Sequence, residues 1–105
     1  MLNQVVMVGR LLEKPEIKEL ENGKKVGNIT LIVPRCYKNE DGEYEKDFID
    51  CMLWSGIAEN TAEYCNKGDV VGVKGRIETT IIDKVKHSNV IAEKVTFLSN
   101  KVKDE

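Results

Sequence analysis

Apolar side chains in this sequence recur mostly at every second position and only once at helical spacing. Ile29, Leu31 and Val33 alternate with Asn28, Thr30 and Ile32, and Ile49, Cys51 and Leu53 alternate with Phe48, Asp50, Met52 and Trp54. A strand turns successive side chains to opposite faces, so this period demands sheets with one face on a core. Turn-forming dipeptides, Asn22-Gly23 and Asp41-Gly42, punctuate the runs and tolerate the positive φ of tight turns. At 105 residues, 41% apolar and 32% charged, the chain holds one domain's core and needs neither disulfides nor a metal to keep it.

The first strand opens at Val5-Val6-Met7-Val8 and continues past Gly9 to Leu11-Leu12. Being apolar on both alternating faces, it reads as a strand covered on two sides, either by a second subunit over the core or as a central barrel strand. Gly9 inside it marks a bend. Ile17 to Leu20 and the strand from Lys25 form a hairpin about Asn22-Gly23, and Pro34, which has no N–H to donate, is expected to end that strand. Residues 37–46 read as a polar loop, and a third strand spans Asp47 to Trp54. Ser55 is the expected N-cap of a single helix in which Ile57, Ala58, Thr61, Ala62, Tyr64 and Cys65 recur at helical spacing, with Lys67 in its last turn and Gly68 beyond. A long fourth strand, Asp69 to Ile82, bends at Gly72 and Gly75; a polar turn follows over 83–89, and a fifth strand runs from Val90 to Leu98. The expectation is one all-β domain over residues 1–99 and a short flexible end over 100–105. Three strands, a helix and two strands is the chain order of the OB-fold, a five-stranded Greek-key barrel that binds oligonucleotides and oligosaccharides.

Charge is uneven. Sixteen basic and eighteen acidic residues give a net charge of −2, but residues 41–50 alone carry five acids against Lys46, while residues 21–40 and 71–90 are each +2. Fields are local at a Debye length of about 8 Å, so a basic face can coexist with an acidic whole. No phosphate-binding glycine loop, zinc-protease motif or nucleophile elbow is present, and His87, the single histidine, falls in the expected turn. Cys36, Cys51 and Cys65 lack the paired spacing of a zinc site and read as three buried reduced thiols. The acidic run reads as a solvated loop, not a metal site. No apolar run approaches the roughly 20 residues needed to span a bilayer, and residues 1–4 lack a signal-peptide pattern. The expected location is the cytoplasm, with no membrane partner.

Several segments in order carry a resemblance. Asn3-x-Val5-x-Met7-Val8-Gly9-Arg10-Leu11, Pro15-Glu16, Asn22-Gly23, Asn28-Ile29-Thr30-Leu31, Asp47-Phe48-Ile49-x-Cys51-x-x-Trp54, Ala58-Glu59-Asn60, Lys67-Gly68 and Gly72-Val73-x-Gly75-Arg76-Ile77 resemble the bacterial and phage single-stranded DNA-binding proteins over about residues 2–98. The resemblance implies a homotetramer, or less often a dimer or other oligomer, that coats unpaired DNA in replication, recombination and repair, with no catalysis and no cofactor. It also implies aromatic residues that stack on bases, and three of these positions fall on Tyr37, Phe48 and Trp54.

The physics agrees. Every base has a π-face, so aromatic plates bind without selecting a base, at roughly 1–3 kcal/mol each, while Lys and Arg attract phosphates. Phe48 and Trp54 share a strand face by parity. Arg35, Lys74 and Arg76 are the phosphate candidates, with Lys24, Lys25, Lys38, Lys84 and Lys86 as weaker ones. The chain also departs from the family pattern. A fourth aromatic position falls at about Ile82, and Asp50, Ser55-Gly56, Glu78 and Thr80 stand where many members are basic. Weaker and less salt-sensitive binding is therefore expected. The chain stops at Lys101-Val102-Lys103-Asp104-Glu105, without the family's acidic tip, so recruitment of replication and repair proteins through such a tail is not expected. The competing reading is an OB-fold adaptor resembling primosomal replication protein N, acting mainly through protein association.

Overall fold

Backbone pairing closes a barrel. The computed structural model describes residues 1–99; the flexible end expected over 100–105 lies outside the described residues. The elements are β1 (Val5–Leu11), β2 (Glu16–Glu19), β3 (Lys25–Lys38), β4 (Tyr44–Trp54), α1 (Ser55–Tyr64), β5 (Val70–Ile82) and β6 (Val85–Ser99). Strands follow the order β1-β5-β6-β4-β3-β2, and β1 also pairs with β3. Five strands thus form a closed OB-fold barrel, and short β2 is a flap on β3. All pairings are antiparallel except β4 with β6.

The inward-facing set matches the alternation. Ile29 and Leu31 of β3, Cys51 and Leu53 of β4, and Val71 and Val73 of β5 form one buried cluster, onto which α1 packs Ala58. Two glycines let the barrel curve. Gly9 lies where β1 leaves β5 for β3, and a Cβ there would stand 2.7 Å from the Ile32 carbonyl oxygen. Gly75 lies at a register shift between β5 and β6, and its Cβ would collide with the Ile91 carbonyl oxygen. Any larger residue would force strands apart at either place.

Several local expectations are corrected. Pro34 does not end β3: the strand runs on to Lys38, with Pro34 at a register shift where the missing N–H costs less. The polar loop over 37–46 shrinks to residues 39–43, where the Asn39 side-chain oxygen accepts from the N–H groups of Asp41 and Glu43, both at 2.9 Å. The turn over 83–89 is only Asp83-Lys84, both with positive φ (52° and 67°), so Ile82 pairs directly with Val85. Both hairpins project from the barrel, where polar side chains carry no core signal yet the backbone still pairs. Ser55 does not cap α1. Trp54 holds the N-cap position with no side-chain cap bond, and Ser55 takes a φ of 50°. The helix ends at Tyr64, so Lys67 lies outside it; Lys14 closes this end by donating to the carbonyls of Ala62 and Cys65, both at 3.1 Å. Cys51 and Cys65 are buried but Cys36 is exposed.

Candidate nucleic-acid interface

On β4 the odd-numbered Cys51 and Leu53 fill the core, which turns Tyr44, Phe48, Asp50, Met52 and Trp54 outward. The register sets Lys38 opposite Tyr44, Ile32 opposite Phe48, Thr30 opposite Asp50, Asn28 opposite Met52 and Val26 opposite Trp54. Directly opposed residues share a face, so β3 and β4 build one outward strip. Phe48 is 59% exposed and Trp54 38%. Six residues of strand separate them, roughly 20 Å. The left-handed backbone of Ser55 breaks the chain sharply from β4 into α1, leaving Trp54 at that corner.

The strip extends sideways. Met52 stands beside Ile91 of β6, and Ile91 beside Arg76 of β5, so the row Asn28, Met52, Ile91, Arg76 crosses four strands. Two strand spacings put Arg76 about 10 Å from Met52. Its guanidinium donates to Glu78 Oε2 at 2.6 and 3.0 Å and to Glu93 Oε2 at 2.9 Å. Those hydrogen bonds, Glu78 first, hold Arg76 above its ordinary range.

Arg35 lies on the other side of the β3–β4 hairpin, with the odd-numbered residues of β4. It grips Asp47 through Nε at 3.2 and 3.3 Å and Nη2 at 2.9 Å, and reaches Glu45 through Nη1 at 2.9 Å. The hydrogen bond and then the charge of Asp47 raise Arg35, and the same hydrogen bond lowers Asp47. Tyr37, 60% exposed, alternates with Lys38 and so turns away from Tyr44, towards the Arg35 side. Lys74 is exposed, between Val6 of β1 and Lys94 of β6, and makes no ion pair or hydrogen bond among the described residues.

Of the three stacking candidates, the structure therefore unites Phe48 and Trp54 on one face and leaves Tyr37 on the other side of a hairpin. Sequence reasoning missed Tyr44, an exposed ring on the Phe48 face with Lys38 Nζ 5.7 Å from its centroid. Its even spacing from Phe48 and Trp54 was the available signal, hidden by the polar residues around it. Ile82 is exposed beside the β5–β6 turn, an apolar side chain without a ring face. Among the described residues no three His, Cys, Asp or Glu side chains converge as metal ligands, and no helix is long and apolar enough to cross a membrane.

Comparison with known proteins agrees with this architecture. Single-stranded DNA-binding protein B of Bacillus subtilis is 42% identical over 110 residues, covering all of this chain and 97% of that protein. The single-stranded DNA-binding protein of Halalkalibacterium halodurans is 48% identical over 103 residues, and there the chain spans 61% of the relative's length. The crystal structure of the single-stranded DNA-binding protein of Thermus aquaticus superposes with a TM-score of 0.83 at 23% identity, over 96% of this chain and 52% of that one, a likeness of fold alone. The model of the single-strand binding protein family matches residues 2–98, and with a relative this similar along its whole length, the chain belongs to the single-strand binding protein family.

Proposed function

We propose that this protein binds and coats single-stranded DNA with little regard to sequence, by stacking bases on exposed rings and pairing phosphates with cations, and that it does so during replication, recombination and repair. The observation that carries this reading is the pair of large rings, Phe48 and Trp54, left open to solvent on one face of β4. Isolated exposed aromatics are ordinary; two on one strip, with Tyr44 beyond them, make a track on which successive bases can stack. Tyr37 extends the contact around the hairpin. Lys74 is the uncommitted phosphate contact, whereas Arg35 and Arg76 reach a phosphate only by exchanging a carboxylate for it. The relatives named above are strand-binding proteins, and none is a primosomal adaptor.

The protein acts in the cytoplasm, without an enzymatic step, as a homotetramer or dimer. Support for assembly comes from β1, whose outward Val6 and Val8 are exposed while Met7 packs against the core. Such an apolar strip is more than a lone surface residue and suits a subunit contact. Light scattering tests the oligomer. Titration with oligo-dT, followed by fluorescence of the single tryptophan, tests the binding: strong quenching is expected as the indole stacks, and an unchanged signal with no retained DNA would overturn the reading.

A further inference from the structure

We propose that Asp50 reads the edge of the base lying between the Phe48 and Trp54 rings and tilts binding toward bases that present an amino group, cytosine over thymine. This rests on the single-strand-binding reading and adds a base preference to it. Asp50 is exposed on the outward strip, two residues from Phe48 and four from Trp54, roughly 7 and 13 Å along the strand. A carboxylate there is unexpected on a path for a polyanion. It does not neutralise a cation: the salt bridges of the described residues use other acids.

What holds Asp50 is the hydroxyl of Thr30, directly opposite on β3, which donates to Oδ1 at 2.6 Å. That bond fixes the carboxylate's orientation and leaves Oδ2 with no hydrogen-bond partner among the described residues. A base stacked on the strip thus meets a fixed acceptor.

An ionised carboxylate only accepts hydrogen bonds. Cytosine offers it N4–H₂, and this is the pairing acids make with that base. Thymine offers one imide N–H between two carbonyl oxygens that repel the carboxylate. The phosphates pay no heed to this difference, so any effect of Asp50 on them is equal for both bases. One hydrogen bond of this kind corresponds to about three- to tenfold in affinity.

The test compares oligo-dC with oligo-dT of equal length, with wild type, Asp50→Asn and Thr30→Val. Wild type is expected to favour dC by about three- to tenfold. Asp50→Asn, whose amide can also donate to thymine, should bring the ratio below about twofold, and Thr30→Val should lower it part of the way by releasing the carboxylate. Equal binding of both oligomers by wild type overturns the inference alone. So does a uniform gain for both in Asp50→Asn, since Asp50 would then only repel phosphates. Failure of both oligomers to bind overturns the single-strand reading and this one with it.

Discussion

Along β4, Cys51 and Leu53 point inward and have no solvent exposure, while Phe48 and Trp54 point outward at 59% and 38%. The two sets interleave on one strand, so neither hydrophobicity nor local conformation separates them. What separates them is what lies across each face: α1, β3 and β5 cover the inner side, and among the described residues the outer rings are left in part open to solvent. Inner residues stabilise the barrel before any ligand arrives; outer residues keep apolar area in reserve for one. Burial also sets their chemistry, since the Cys51 thiol is pushed up to about 11, first by loss of water and then by the charge of Asp50.

Mutations can break or sharpen this division. The largest effect is expected on the inner face: Leu53→Ala should cost about 2–5 kcal/mol of stability, read from the denaturant midpoint. On the outer face, Phe48→Ala should leave stability within about 0.5 kcal/mol yet weaken oligo-dT binding by about 1–3 kcal/mol. Equal losses of stability from the two substitutions would erase the division. Among the cations, Lys74→Ala should flatten the plot of log affinity against log salt by about 0.7. Arg35→Ala and Arg76→Ala should flatten it less, because each guanidinium already holds carboxylates; a steeper loss at Arg35 would show that DNA displaces Asp47.

The smallest effect concerns acid. Arg35 lowers Asp47 below its unfolded value, so this pair stabilises the hairpin fully above about pH 4 and stops doing so as pH falls through the lowered, folded value. Asp47→Asn should therefore narrow its stability gap to wild type on acidification below about pH 4, and a gap that instead widened would contradict the pairing.

How far the sequence reached differs between these regions. The alternation over Ile49, Cys51 and Leu53 named the core face of β4 correctly, and the helix around Ala58 and Thr61 was equally readable, because both patterns record burial. The projecting hairpins were not readable. Residues 34–38, 44–46 and 85–89 are strands whose side chains face solvent on both sides, so backbone pairing left no apolar period to find. The stacking pair Phe48 and Trp54 followed from parity. Tyr44 required knowing that β4 begins ten residues before Trp54.

The sequence by itself determined which side chains alternate, where one helix interrupts the strands, and that two rings share a face, since these are short-range consequences of strand and helix geometry. Only the tertiary structure decided that Thr30 meets Asp50, that Arg76 joins the Met52 row, and that Arg35 and Arg76 arrive already paired with acids while Lys74, among the described residues, does not. Those facts depend on which strands become neighbours and in what register, which is set by closing the whole barrel and not by any one segment.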